Sequence, residues 1–327
     1  MTNILTQLRS AAASVFIIAI MVSSAFAEPW PKKPVRLVVP FAAGGATDAI
    51  ARSLAQKLSD MWKQGVVIDN RPGAGGSVGA SLVAKSPSDG YTMILVGGSQ
   101  LTVNPHIYRQ LPYSLSDFTI IANIAKGPMV IAVSPSVPVQ SLKDLVALAS
   151  SKPGQLNFGS AGNGTQVHMA GEAFADAARI DIKHVPYKGE APALNDLMAG
   201  QIQIVVGNIA AVTPFVKSAR IKALAITDKS RSPMLPDVPT ATEAGVPGLE
   251  GISAWFALMV PVGTPADITL KIRADTVKAL TDKELNARLM SQGMSPGGED
   301  SSQMKTIIAA ESQKWARIVK LKQLSAD

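Results

Sequence analysis

The chain has 327 residues, with 31 Lys or Arg against 24 Asp or Glu, so its formal net charge is +7 at neutral pH. Apolar residues make up 47% and charged residues 17%, as in an ordinary globular protein with a substantial core. The sequence has no cysteine, which excludes disulfides, a thiol nucleophile and thiolate metal ligands. Its basic residues are scattered, so we expect no nucleic-acid partner.

The N-terminal segment has the three parts of an export signal. Arg9 supplies a positive region, residues 11–22 form an apolar stretch, and Ala25-Phe26-Ala27 has the small-x-small pattern of a cleavage site. The apolar stretch is shorter than the roughly 20 residues that span a bilayer, so an uncut anchor is the weaker alternative. We predict cleavage after Ala27, with residues 1–27 as the signal and a mature periplasmic chain of formal charge 30 − 24 = +6.

Short apolar segments alternate with amphipathic ones along the rest of the chain. After the β-branched run at residues 35–39, apolar residues recur at helical spacing and predict one buried stripe: Ile50, Leu54, Leu58 and Met61. The predicted strands cover residues 35–39, 66–68, 91–96, 120–124, 129–133, 155–158, 182–185, 203–206, 223–227 and 254–260. The predicted helices cover residues 49–62, 76–84, 141–151, 166–178, 191–199, 212–219, 265–281, 282–292 and 300–319. This alternation predicts an α/β fold with parallel sheets, in which ligands bind at the carboxyl ends of strands.

Two glycine-rich turns in the same local context are the most informative feature. The first loop, residues 40–48, reads Pro-Phe-Ala-Ala-Gly-Gly-Ala-Thr-Asp, and the second loop, residues 159–165, reads Gly-Ser-Ala-Gly-Asn-Gly-Thr. Each follows a predicted strand and precedes a predicted helix. Such a turn presents free backbone N–H groups at the positive end of a helix dipole, which suits an anion. Two loops facing each other, one from each domain, would hold a small carboxylate from both sides.

Several polar residues at these loops have structural interpretations as well. An acid aimed at a carboxylate would repel it, so we expect Asp48 to orient the first loop or to receive an amine or a water. His168 lies one turn into its helix and is either a ligand or water contact or an ordinary half-buried residue. His106 and His184 have no partner at a ligating spacing. We therefore predict neither a metal site nor a cofactor.

Six segments carry a family resemblance: residues 38–48, 70–76, 88–92, 159–165, 184–189 and 235–240. In these segments and in their order, the chain resembles the solute-binding receptors of tripartite tricarboxylate transporters, also called Bug receptors. The resemblance implies a two-lobed type II periplasmic-binding-protein fold, with two parallel-rich sheets flanked by helices and a ligand cleft between the lobes. Lobe 1 would comprise residues 28–128 and 253–327, and lobe 2 residues 129–252. It implies a non-enzymatic, monomeric receptor that delivers a small carboxylate to membrane permease subunits.

In the family, the two loops hold a ligand carboxyl largely through backbone groups and bridging waters. The predicted ligand-binding residues are Phe41, Ala42, Gly44, Gly45, Thr47, Asp48, Ser99, Ser160, Ala161, Gly164, Thr165, His168, Tyr187 and Asn208. Many relatives have an acidic residue just before Asn208, where this chain has Gly207. The contacts at that wall therefore stay open, as does the choice among dicarboxylates, tricarboxylates, amino acids and aromatic acids.

Two other functions remain as alternatives. A periplasmic sensor would use the same binding site but pass the signal to a signalling partner instead of a permease. Residues 75–79, Gly-Gly-Ser-Val-Gly, also match the G-x-S-x-G motif of serine hydrolases, with Ser77 as nucleophile. That motif requires a preceding core strand, whereas a Pro-Gly loop precedes Ser77, so we regard this match as a coincidence.

Overall fold

Ten strands alternate with helices in the computed structural model, which describes residues 30–326. The fold is described for residues 33–326, which belong to one compact unit. The predicted signal lies outside the described residues. The strands are β1 (Val35–Val39), β2 (Val66–Asn70), β3 (Thr92–Gly97), β4 (Phe118–Val133), β5 (Asn157–Ser160), β6 (Lys183–Pro186), β7 (Ile204–Asn208), β8 (Lys222–Ile226), β9 (Ser253–Pro261) and β10 (Ser295–Pro296).

The helices begin and end close to the predicted residues. They are α1 (Ala46–Trp62), α2 (Ser77–Ala84), α3 (Ser99–Thr102), α4 (Asn104–Ile107), α5 (Leu142–Ser151), α6 (Gln166–Ala178), α7 (Glu190–Met198), α8 (Ile209–Lys217), α9 (Ala266–Leu280), α10 (Lys283–Ser291) and α11 (Ser301–Lys322). The sequence missed α3 and α4 because four residues are too few to show a helical period. Across residues 30–326, no helix combines the length and apolarity needed to cross a bilayer.

All ten strands belong to one mixed sheet, in the order β2-β1-β3-β9-β4-β7-β5-β6, with β8 and β10 also paired to β4. The pairs of β1 with β2 and β3, and of β5 with β6 and β7, are parallel. Every pair that β4 or β9 makes is antiparallel. The expected pair of parallel-rich sheets is thus replaced by a single sheet in which two parallel parts are joined through antiparallel strands.

The joining strand β4 differs from its prediction. The sequence predicts two strands here, residues 120–124 and 129–133, but β4 is one strand of 16 residues. It includes Gly127-Pro128, a dipeptide that ordinarily marks a turn. The strand changes its pairing partners at this point: residues 118–128 pair with β9, whereas residues 129–133 pair with β7 and β8. We call β1, β2, β3, β9 and β10 the first strand group, and β5 to β8 the second strand group.

Burial of apolar faces fixes the helices that follow the glycine loops. Three residues of the predicted stripe of α1, Ile50, Leu54 and Leu58, are fully buried, whereas the fourth, Met61, is partly exposed. Burying such a side chain contributes about 1.5–3 kcal/mol relative to leaving it exposed. Phe158 of β5 is also fully buried and packs against Gly171 of α6, where a Cβ would lie only 2.3 Å from the Phe158 ring. Buried apolar side chains therefore hold both helices against the sheet, and the two helices begin just after the carboxyl ends of β1 and β5.

Candidate functional site

Loop segments from the two strand groups contact each other around the glycine loops. The N–H of Ala42 donates to the Lys188 carbonyl at 3.2 Å. The Tyr108 hydroxyl donates to the Asn163 carbonyl at 3.1 Å. Gly75 lies so close to Asn163 that a Cβ on it would be 2.3 Å from that same carbonyl oxygen. Both loops therefore lie at one interface between the strand groups.

Two cavities lie at this interface. The inner cavity has a volume of about 20 Å³, room for a water molecule but not for an organic acid. It is lined by Phe41, Gly45, Ala46, Thr47, Asp48, Gly97, Ser99, Ala161, Thr165, Gln166, Val167, Glu190, Asn208 and Phe256. The outer cavity, of about 1120 Å³, shares Ala161 with it and is also lined by Ser77, Tyr108, Asn163, Tyr187 and Lys188.

The structure brings most of the predicted ligand-binding residues together. Those that line the inner cavity are Phe41, Gly45, Thr47, Asp48, Ser99, Ala161, Thr165 and Asn208. Ala42, Gly44, Ser160, Gly164 and His168 do not line it but form or support the two loops. Tyr187 lines the outer cavity, and its hydroxyl donates to Asp196 at 2.7 Å. The sequence analysis missed Glu190, which lines the inner cavity, and Arg52 and Asn70, which hold the first loop.

The buried carboxylate of Asp48 holds the first loop in place. It accepts hydrogen bonds from the Gly44 N–H at 3.0 Å, from Arg52 Nε at 2.9 Å and from Asn70 Nδ2 at 3.0 Å. Asn70 Nδ2 also donates to the Phe41 carbonyl at 3.0 Å. Burial raises the pKa of Asp48, but the hydrogen bonds from Arg52, Gly44 and Asn70 outweigh it, so the net pKa is lowered. This geometry fits the loop-orienting role expected for an acid at this position.

Side chains of the second loop hold that loop in the same way. Ser160 Oγ accepts from the Gly162 N–H at 3.0 Å, and Thr165 Oγ1 donates to the Gly162 carbonyl at 2.7 Å. Thr165 Oγ1 also caps α6 by accepting from the His168 N–H at 3.3 Å. The Gly164 N–H donates to His168 Nδ1 at 3.0 Å. In this conformation, the side chains of Ser160, Thr165 and His168 thus stabilise the loop.

Two stacked histidines contact the second loop. The His168 and His184 rings lie 3.8 Å apart between centroids, and His184 Nε2 is 2.5 Å from Ser160 Oγ. Burial and the neighbouring His168 lower the pKa of His184 to about 3, so it is neutral at physiological pH. The other ring nitrogen of His168, Nε2, lies 3.7 Å from Glu172 Oε1.

Glu190, the first residue of α7, places a fully buried carboxyl in the lining of the inner cavity. It accepts hydrogen bonds from the Asn208 N–H at 2.5 Å, from Asn208 Nδ2 at 2.8 Å and from the Ala46 N–H. A Cβ on Gly207 would lie 2.9 Å from Glu190 Oε1. The carboxyl at this wall therefore comes from α7 and fills the space where a side chain at position 207 would stand.

This buried acid predicts a pH dependence of stability. Burial raises the pKa of Glu190 to about 7 from 4.5, against smaller opposite effects of the hydrogen bonds from Asn208 and Ala46. Between these two pH values the unfolded chain gives up the proton that the folded protein keeps, so this contribution to stability falls as the pH rises from 4.5 to 7. Relative to Glu190→Gln, the wild type should lose about 3 kcal/mol of unfolding free energy across that interval. Urea unfolding at pH 4.5, 6 and 7.5 measures it, and parallel pH profiles would contradict the assignment.

Ser77 and the three histidines, considered above for catalysis or metal binding, contact other groups of the protein. Ser77 Oγ accepts from Asn104 Nδ2 at 3.3 Å, and the same amide donates to the Tyr113 hydroxyl at 3.2 Å. Ring nitrogens of the three histidines contact Ser312, Gly164, Glu172 and Ser160 instead. Among residues 30–326, no group of three or more His, Cys, Asp and Glu could hold a metal ion.

Comparison with known proteins gives consistent matches. A family model described as tripartite tricarboxylate transporter family receptor matches residues 50–324. The solved structure of the periplasmic binding protein BugD is 30% identical, with a TM-score of 0.86 over 90% of this chain and 99% of its own. Rpa4515 of Rhodopseudomonas palustris with adipate is 37% identical, with a TM-score of 0.87 over 91% of this chain and 99% of its own. MatC of the same organism with bound malate is 30% identical, with a TM-score of 0.82 over 89% of this chain and 100% of its own.

Proposed function

Because the chain belongs to the family of tripartite tricarboxylate transporter receptors, the Bug receptors, we propose that it captures a small carboxylate between the two glycine loops, with one carboxylate group at the inner cavity, and delivers it to membrane permease subunits. The family consists of binding proteins, so the chain performs no catalysis. One observation carries the proposed site: the first residues of two long helices, Ala46 and Thr47 of α1 and Gln166 and Val167 of α6, line the same cavity. Helix starts supply N–H donors and positive potential for an anion.

The two strand groups would act as two lobes that close on the solute. Lobe 1 would comprise residues 28–128 and 253–327, and lobe 2 residues 129–252. The change of β4 partners between residues 128 and 129 supports this boundary. We take this structure, in which loops of the two strand groups are in contact, as the closed form. The inner cavity of about 20 Å³ has no room for a whole organic acid, so entry of the solute would require the lobes to separate.

Hydrogen bonds to the solute carboxylate would supply most of the binding free energy. A hydrogen bond to a charged group is worth about 1.5–3 kcal/mol net. A handful of such bonds, less the costs of closure and ordering, reaches the −8.2 kcal/mol of micromolar affinity. Closure is favoured because the solute touches both lobes in the closed form but only one in the open form.

The solute class follows from the cavities and the relatives together. The relatives named above bind adipate and malate, which are dicarboxylates. One carboxylate would occupy the inner cavity, and the remainder of the solute would extend past Ala161 into the outer cavity, where Lys188 is available to a second anionic group. We propose a di- or tricarboxylate, amino acid or aromatic acid as the solute. The proposed setting is the periplasm, where the mature chain would act as a monomer after cleavage at Ala27.

A thermal-shift screen of small carboxylic acids on the mature chain tests this function. At 100 times its dissociation constant, a true solute should add about 2.7 kcal/mol to the free energy of unfolding. Primary amides of the same acids are the matched controls, because they are nearly isosteric with the acids but lack the charge that the helix starts bind. Absence of a shift with every acid, or equal shifts with acids and amides, would refute the proposal.

A further inference from the structure

The inner cavity contains an unused hydrogen-bond acceptor. The Asn208 side chain is buried and lines the cavity. Its amide orientation is set by Glu190, because both Nδ2 and the backbone N–H of Asn208 donate to that carboxylate. The Oδ1 atom is consequently turned away from Glu190, and it is buried without a hydrogen-bond partner among the described residues. A buried acceptor in this state is unfavourable until a donor reaches it.

The Glu190 carboxylate beside it lacks a compensating cation. Asp48, the other carboxylate in the lining, is paired with Arg52 at 2.9 Å. Glu190 receives hydrogen bonds only from neutral groups, the Asn208 amide and backbone and the Ala46 N–H, and it has no ion pair within residues 30–326. Burial without a cation disfavours its charged form, so an ammonium group placed beside it would be bound by a charge-assisted hydrogen bond.

These two acceptors and the helix starts favour different chemical groups on a solute. The N–H groups at the starts of α1 and α6 suit a carboxylate, whereas Glu190 and Asn208 Oδ1 suit an N–H or O–H donor. A plain acid would leave methylene hydrogens against both acceptors. We propose that Glu190 and Asn208 form an acceptor wall that selects solutes with an ammonium or hydroxyl group beside the anchored carboxylate. This inference rests on the proposed function, since it assumes that a carboxylate occupies the inner cavity.

A matched series of four-carbon diacids tests the acceptor wall. Succinate, malate and aspartate share one carbon skeleton and differ by a hydrogen, a hydroxyl or an ammonium at a single carbon. Calorimetric titration of the mature chain at pH 7.5 should show malate or aspartate binding at least 10-fold more tightly than succinate. The order of malate and aspartate tells which donor the wall prefers. Propionate, lactate and alanine repeat the comparison for a shorter skeleton.

The variant Glu190→Gln separates the wall from other sources of selectivity. It keeps the length of the side chain but removes the negative charge, so the preference for aspartate over succinate should fall at least 10-fold. The matched control is Glu311→Gln, because Glu311 is a largely buried carboxyl that bonds to Trp255 Nε1 at 2.9 Å and does not line the inner cavity. This control should leave the preference unchanged.

The outcomes distinguish this inference from the function on which it rests. Acids that bind without any advantage for the donor-bearing members of both series would refute the acceptor wall and leave the receptor function standing. A preference that survives Glu190→Gln would refute the role of Glu190. If Glu190→Gln does not fold, as judged by circular dichroism, the wild-type series still decides. Failure of every carboxylic acid to bind would instead refute the proposed function itself.

Discussion

Replacing Gly75 by Ala should weaken solute binding at least 100-fold while leaving the unliganded protein folded. The Cβ added to Gly75 would lie 2.3 Å from the Asn163 carbonyl oxygen, and that oxygen belongs to the segment after β5 on the opposite side of the interface. The overlap with Asn163 exists only when the two strand groups are in contact, so it penalises the closed form. The added Cβ would also lie 2.8 Å from the Tyr108 hydroxyl, which belongs to lobe 1 like Gly75, but that hydroxyl is the end of a side chain and can turn aside in either form. Because the solute stabilises the closed form, a variant that closes less readily binds the solute more weakly. Calorimetric titration with the acid found by screening measures the loss.

The matched control for this variant is Gly245→Ala. Gly75 and Gly245 both have positive φ angles, +57° and +89°, so an alanine is strained at either position, but a Cβ on Gly245 meets nothing within 4 Å. The control should bind the solute like the wild type. Small-angle scattering adds a second measurement, since Gly75→Ala should keep its unliganded radius of gyration when the solute is added. Wild-type affinity and normal compaction in Gly75→Ala would show that closure does not bring Gly75 against Asn163.

Replacing Asp48 by Ala should abolish the conformation of the first loop and weaken solute binding at least 30-fold. The substitution leaves the Gly44 N–H, Arg52 and Asn70 without the carboxylate that joins them. It should also lower the free energy of unfolding by about 3 kcal/mol, the cost of breaking a buried, hydrogen-bonded charge network. Since the net pKa of Asp48 is lowered, the part of this stability that depends on the ionised carboxylate is present above pH 3.8 and is lost as the pH falls below it. Urea unfolding and calorimetric titration measure the two effects.

Asp60→Ala provides the comparison within the same helix. Asp60 is exposed, and within residues 30–326 its carboxylate accepts only from Gln56 Nε2, one turn earlier, at 3.2 Å. Its removal should change stability and affinity little, because an exposed pair one turn apart contributes only a few tenths of a kcal/mol. Full solute affinity in Asp48→Ala would show that the first loop keeps its shape without this carboxylate and would exclude a loop-orienting role.

Local signals in the sequence predicted the elements around the site well. The capping box at the start of α5 is an example: Ser141 Oγ accepts from the Asp144 N–H at 3.1 Å, and Asp144 accepts from the Ser141 N–H at 3.0 Å, as the spacing of the two residues indicates. The strand, loop and helix order around both glycine loops is also found, because glycine, apolar periodicity and capping residues act over a few residues. The same local reasoning failed at Gly127-Pro128, where a turn signal lies inside β4.

Glu190 shows why the rest of the site was not predictable. An acid in the first turn of a helix is ordinarily a solvent-exposed residue that complements the helix dipole, so nothing in its neighbourhood marks it as a cavity residue. Its burial depends on Asn208 at the end of β7 and Ala46 at the start of α1, which approach it only after the sheet has formed. His184 is a similar case, since its stacking on His168 requires β6 to lie beside β5.

The sequence by itself determined the strand and helix segments, the two glycine loops and the family resemblance, because each depends on residues that are close in the chain or on their order. Only the tertiary structure decided which N–H groups of those loops donate hydrogen bonds to side chains of the protein itself. It also decided that Glu190 supplies the carboxyl beside Gly207 and that one strand joins the two parts of the sheet. These features depend on strand register and on the need of every buried polar group for a partner. That need is met by residues distant in sequence, so local patterns do not reveal it.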